Sequence, residues 1–281
     1  MRAPSFTVDT TRMREHNSGL LLNLVFKQKG MSRADLARVT GLSRSAVSAI
    51  VDGLIAERLI REVGAGDSRG GRRPTLLEFN ADAYALVGVE LGASHLRVVA
   101  TNLCARVRAV REVRHAVVED PDGTLEVLGQ LIDGVLADAD IAHDALLGIG
   151  VAVPCPLDLR IPDTLCSQLM PAWQGVRIPR VLAERYRCSV SMDNDANLGA
   201  LAERWWGAGA SGEDLTYIKV ATGVGAGHII AGDVYRGSNG TAGEIGHLAI
   251  DLHGPRCRCG LRGCLAALIG AGALIDRTVA A

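Results

Sequence analysis

Residues 31–63, MSRADLARVTGLSRSAVSAIVDGLIAERLIREV, decide how the first part of this chain is read. Ser32 opens a helix with Asp35 three residues on, the spacing of a capping box. Leu36, Ala37 and Val39 form the apolar face of that helix, and Thr40-Gly41-Leu42 is a short turn. Ser43 then caps a second helix with Val47, Ile50, Val51, Leu54 and Ile55 at core spacing. Two helices joined by a short glycine-containing turn make a helix-turn-helix. The second is the candidate reader: its first turn offers Ser43, Arg44, Ser45 and Ser48, short polar groups and one arginine able to reach base edges.

Outward from this stretch the pattern extends in both directions. Gly19–Gln28, GLLLNLVFKQ, has helical apolar spacing and stops at Lys29-Gly30, which leaves residues 1–16 as an N-terminal tail. Downstream, Leu59–Val63 and Thr75–Phe79 read as two strands around GAGDSRGGRRP, whose Arg69, Arg72 and Arg73 suit a wing against phosphates or a minor groove. Residues 17–80 therefore form a winged helix-turn-helix DNA-binding domain. The competing reading is a helical hairpin used for dimerisation, with a solvated arginine loop. Charge favours DNA: residues 1–80 hold 13 Lys+Arg against 8 Asp+Glu, and the remainder 17 against 23.

With 281 residues, 48% hydrophobic and 22% charged, the chain has material for real cores, which excludes wholesale disorder. No apolar run approaches the about 18 residues of a membrane span. The N-terminus lacks the apolar segment of a secretory signal. Of seven cysteines, three crowd into residues 257–264, which points to a metal site in a reducing, cytoplasmic setting rather than a disulfide framework.

Residues 84–281 form a second domain of α/β character. YALVGVELGASHLRVVATNL reads as strand, tight turn and strand, and Thr124–Ala139 as a helix with Leu125, Leu128, Leu131, Ile132, Val135 and Leu136 at helical spacing. LLGIGVAVP is a buried strand, Ile178–Tyr186 a short helix, and CSVSMDND a strand feeding the helix ANLGALAERWW. Such folds place ligands at strand ends. Two loops there, Glu90–Ser94 and Ala221–His228 with Gly223, Gly225 and Gly227, either cradle an anion on backbone N–H groups or are plain hairpin turns. Neither opens a helix, so neither is a Walker loop or a dinucleotide fingerprint. Asp193-Asn194-Asp195 closes a strand and enters a helix; its carboxylates either cap that helix or accept a hydroxyl proton in a cleft. The Trp205-Trp206 pair reads as packing.

The sharpest chemical pattern is GEIGHLAIDLHGPRCRCGLRGC. His247, Cys257, Cys259 and Cys264 supply one imidazole and three thiolates, a closed tetrahedral shell for a structural Zn²⁺. His253 is the competing nitrogen ligand. Cys104, Cys155, Cys166 and Cys188 stand apart and read as core residues.

GTAGEIGH followed by CRCGLRGC, then DNDANLGALAE, then ATGVGAGHIIAGDVYRG, resemble the ROK family of repressors, open reading frames and sugar kinases, over about residues 17–270. The resemblance implies an actin-like ATPase (ribonuclease H-like) fold. The head ending in GGRRP marks the repressor branch. By the same resemblance Asn194, Asp195, Glu244 and His247 are sugar-binding positions, and Asp195 is the catalytic base of the kinases. Gly92, Ala93 and Ser94 match one phosphate loop, and Thr222, Gly223 and Gly225 part of the other.

The departures bear on activity. The kinases' Asp-x-Gly-Gly-Thr is here Glu90-Leu91-Gly92-Ala93-Ser94, a sugar-binding Asn is replaced by Leu169, and the Glu after the last zinc Cys is Ala266. Lost polar contacts change discrimination and argue against ATP and kinase chemistry. Family regulators also continue beyond the zinc motif, which implies a second lobe that is incomplete here, with one sheet face open. The expectation is a repressor of carbohydrate-utilisation genes: a homodimer on a double-stranded operator, answering a sugar or sugar phosphate. An ATP-dependent sugar kinase and a sugar-responsive interaction protein are the alternatives.

Overall fold

The computed structural model describes residues 10–65, 73–157, 161, 163–165, 170–210 and 212–279. The chain forms two compact units, Met1–Tyr84 and Ala85–Ala281.

In the first unit, α1 (Thr10–Lys27), β1 (Met31–Ser32), α2 (Arg33–Thr40), α3 (Arg44–Ala56), β2 (Ile60–Ala65) and β3 (Thr75–Phe79) follow in order. The capping box forms: Ser32 Oγ accepts from Asp35 N at 3.2 Å, and Asp35 Oδ2 accepts from Ser32 N at 3.0 Å. Gly41 ends α2 at φ 71°, a left-handed value that a side chain resists. Leu21, Val25, Leu36, Val47, Val51, Ile60 and Leu77 form the core of this unit. Three details depart from the sequence reading. The first helix begins at Thr10, inside what the pattern gives as tail. Val39 is 58% exposed rather than on the apolar face of α2. The sheet gains a third strand, β1, because Met31 and Ser32 pair with Leu77 and Leu76; two residues are too few to show alternation.

The second unit carries a five-stranded sheet built from β4 (Ala85–Leu91), β5 (His95–Asn102), β6 (Val107–Arg114), β7 (Leu146–Val153) and β8 (Ser189–Asn194), in the order β6-β5-β4-β7-β8. β4, β7 and β8 run parallel, so their connections pass through the helices α4 (Pro121–Asp138) and α5 (Ile178–Tyr186). Val87, Val89, Val151, Leu128, Ile132 and Leu182 join sheet and helices in one core. Trp173 is buried in it and donates from Nε1 to the Val117 carbonyl at 2.7 Å. The strand β6, VRAVREVR, escapes the apolar pattern because it is an exposed edge rich in charge.

Directly after β8, α6 (Asp195–Trp206) packs on a second antiparallel sheet of β9 (Leu215–Val220), β10 (Val224–Ile230) and β11 (Asp233–Val234). Two short helices, α7 (Leu265–Ile269) and α8 (Ala271–Val279), follow. Ile218 and Val220 on β9 are exposed. Trp205 and Trp206 meet edge to face with centroids 5.2 Å apart. Both are more than half exposed, so the expected packing role is corrected.

Candidate functional sites

In the winged head, Ser43 is the N-cap of α3, and its Oγ accepts from Ala46 N at 3.2 Å. Ser43, Arg44 and Ser45 are exposed at the start of the helix, as a major-groove reader requires. Ser48 is half-buried and its carbonyl accepts from Arg33, whereas Ala49, one turn beyond Ser45, is exposed on the outer face. The sequence favours Ser48 as a reader for its hydroxyl, yet the helix turns the Ala49 methyl outward in its place. A methyl there suits apolar contact with a thymine rather than a hydrogen bond. Arg33 also bridges Asp52 at 2.7 Å and Glu62 at 3.0 Å, tying α2, α3 and the wing base together. Arg73 is exposed beside β3; Arg69 and Arg72 lie outside the described residues.

In the second unit, the carboxylates expected to cap or to react are divided between tasks. Asn194, not either aspartate, caps α6, accepting from Ala196 N at 2.9 Å and Asn197 N at 3.3 Å. Asp193 is buried and fully engaged: Oδ1 accepts from Asn194 N and Asn197 Nδ2, and Oδ2 pairs with Arg236. Asp195, at the first turn of α6, accepts from Lys219 Nζ at 2.7 Å. The same ammonium stands 3.8 Å from Glu90 Oε1, and His95 Nε2 lies 3.7 Å from that oxygen. Glu244 is near enough to Asp195 that burial first, and then the Asp195 charge, raise its carboxyl above the usual range. Glu244 also sits 3.8 Å from His247. The structure thus brings Asp195, Glu244 and His247 near one another and adds Lys219, which sequence reasoning missed. Its signal was a lysine on the inward face of an apolar strand, LTYIKV.

The two glycine loops are hairpin turns. Gly92 donates its N–H to the His95 carbonyl at 2.9 Å, Ala93 is half-buried and Ser94 exposed. The second turn is only Ala221–Gly223, with Thr222 and Gly223 exposed. Gly225 and Gly227 belong to β10, paired with Lys219 and Tyr217, so their place in a phosphate loop is corrected. Leu169 lies outside the described residues, and Ala266 is in α7.

His247, Cys257, Cys259 and Cys264 place one ligand atom each within 4.8 Å of the others; His253 is not of the group. Around a tetrahedral Zn²⁺, sulfurs lie about 3.8 Å apart and sulfur and nitrogen about 3.5 Å. Cys259 Sγ and Cys264 Sγ are 3.7 Å apart, and Cys257 Sγ is 3.5 Å from His247 Nδ1. The four residues fit zinc. Gly263 lets the loop close: at φ 61° a Cβ there would stand 1.5 Å from the Asp251 carbonyl oxygen.

A winged helix-turn-helix is thus followed in the chain by an α/β unit that carries this Cys₃His loop. The chain belongs to the ROK family, whose model matches residues 86–280, and residues 15–70 match the MarR family. The fold is that of a ROK family transcriptional regulator described as a homolog of the E. coli MLC protein, with a TM-score of 0.77, 24% identity, and 95% of this chain and 67% of that one covered. The xylose repressor of Bacillus subtilis (strain 168) is 35% identical over 258 residues, 91% of this chain and 66% of the relative. A ROK hexokinase from Thermus thermophilus is 34% identical with a TM-score of 0.54, over 70% of this chain and 63% of that one. The chain spans just under two thirds of the length of the curated relatives it matches.

Proposed function

We propose that this protein is a DNA-binding transcriptional regulator, a repressor of carbohydrate-utilisation genes that responds to a sugar. The observation that carries the reading is the exposed Ser43-Arg44-Ser45 turn at the N-terminus of a capped recognition helix. Such a turn presents one bidentate donor and two small hydroxyls to base edges, while Arg69, Arg72 and Arg73 supply phosphate contacts from the wing. The protein acts in the cytoplasm as a homodimer, because a two-fold protein reads two half-sites about one helical turn apart.

The effector sits where Asn194, Asp195, Glu244 and His247 converge. Asp195 serves as an acceptor for a sugar hydroxyl rather than as the base of a kinase. Zn²⁺ on His247, Cys257, Cys259 and Cys264 fixes the segment that presents Glu244, a structural role with no open coordination position. The sugar controls DNA binding only insofar as it binds the operator-competent and incompetent states with different affinity.

Immunoprecipitation of the tagged protein with sequencing of the bound DNA, with and without added xylose, tests this reading. Discrete peaks beside sugar transport or catabolic genes, altered by the sugar, are expected. A profile without discrete peaks in either condition rejects it.

A further inference from the structure

Lys219 is the only lysine after residue 29; the chain otherwise uses arginine, 27 to 3. The choice matters because an ammonium is a compact point charge, whereas a guanidinium is a planar fork suited to bidentate pairing. Lys219 reaches from β9 to two carboxylates on other elements. Its Nζ lies 2.7 Å from Asp195 Oδ2 at the start of α6 and 3.8 Å from Glu90 Oε1 near the end of β4. Asp195 is only 18% exposed and Lys219 27%, so water screens the pair weakly. Without a cation between them, two half-buried carboxylates facing one point would repel, and a divalent ion is the usual remedy. The neighbouring Arg236 is already committed to Asp193.

We propose that Lys219 is the specificity-determining residue of this group of side chains: its ammonium takes the place of a divalent cation between Glu90 and Asp195. The site then needs no metal to hold its ligand and admits none, nor the metal-bound nucleotide phosphates that a kinase requires. An uncharged polyol can still donate a hydroxyl to the lone pairs of Asp195 that Lys219 leaves open. The inference rests on reading the surroundings of Asp195 as the ligand site, but its test uses neither DNA nor sugar, so failure of either idea is seen separately.

Mn²⁺ is the probe, followed by electron paramagnetic resonance on the zinc-loaded full chain. Wild type is expected to show no Mn²⁺ binding that depends on Asp195. Lys219→Met keeps the length of the side chain and removes the charge; it should bind Mn²⁺ at least tenfold more tightly, and Asp195→Asn in that background should abolish the gain. Zinc content and thermal melting establish that the variants are folded. Wild type binding Mn²⁺ in a way that Asp195→Asn removes would overturn the proposal, and that arm stands even where Lys219→Met does not fold. A folded Lys219→Met that binds no more Mn²⁺ than wild type overturns it as well.

Discussion

Gly227 on β10 lies so close to Ala196 on α6 that a Cβ at Gly227 would stand 2.1 Å from the Ala196 carbonyl oxygen. This contact lets α6 settle onto the sheet and so places Asp195, one residue earlier in the helix, beside Lys219. Gly227→Ala is therefore expected to destabilise the body by about 1–3 kcal/mol, the range for overpacking a close contact. Gly225→Ala is the control. Its Cβ would meet Ala196 at an ordinary 3.8 Å, and the variant should unfold within about 0.5 kcal/mol of wild type. Urea titration checks both; equal stability of Gly227→Ala and wild type would refute the packing role.

The same glycines show where sequence reading stops. Gly223, Gly225 and Gly227 have the spacing of an anion-binding loop, yet two of them sit in a strand because a helix approaches there. Local spacing does not reveal which backbone will face a glycine across the chain. The head was readable because its signals are local: Ser32 and Asp35 three apart, and Gly41 at a helix end. The metal group was readable for the same reason, three of its four ligands lying within eight residues. Lys219 was not, since its partners Asp195 and Glu90 are 24 and 129 positions away and only the two sheets bring them together. Nor was the half-burial of Ser48 beside an exposed Ala49, which depends on which face of α3 the core claims.

The capping box predicts a stability effect confined to the head. Ser32 is 3% exposed, and its side chain and backbone both bond Asp35. Ser32→Ala removes the side-chain acceptor for the Asp35 N–H and should cost about 1 kcal/mol. Thermal unfolding of the isolated residues 10–84, alongside the full chain, reads this directly. A loss that appears only in the body transition would contradict the assignment.

Arg44 and Arg73 should fail in different ways. Arg44→Ala is expected to lower affinity for the operator by about 1–3 kcal/mol while leaving non-specific DNA nearly unaffected, as loss of a base contact does. Arg73→Ala should weaken binding to all sequences alike and reduce the salt slope by about 1, as loss of a phosphate contact does. Fluorescence anisotropy across a salt series, on operator and on scrambled DNA, separates the two. An equal loss on both DNAs for Arg44→Ala would remove it from base reading, and an unchanged slope for Arg73→Ala would remove the wing from the phosphates.

Metal loading should be coupled to protons in a definite direction. Burial, followed by hydrogen bonding to Cys259 and Cys257, pushes the metal-free Cys264 thiol up to about 12, so it holds its proton at neutral pH. Zinc binds the thiolate, so loading must release that proton, and affinity must fall as pH is lowered. Calorimetry of Zn²⁺ addition to chelator-stripped protein, in buffers of different ionisation enthalpy, should report release of at least one proton at pH 7. Cys259→Ser is expected to lower the bound zinc and the melting temperature of the body while the head unfolds as before. Its Sγ stands 3.7 Å from that of Cys264, so serine replaces a soft ligand at one corner of the tetrahedron by a hydroxyl that zinc holds poorly. Full zinc retention in Cys259→Ser, or loading without proton release, would show that the metal is held by some other set of groups.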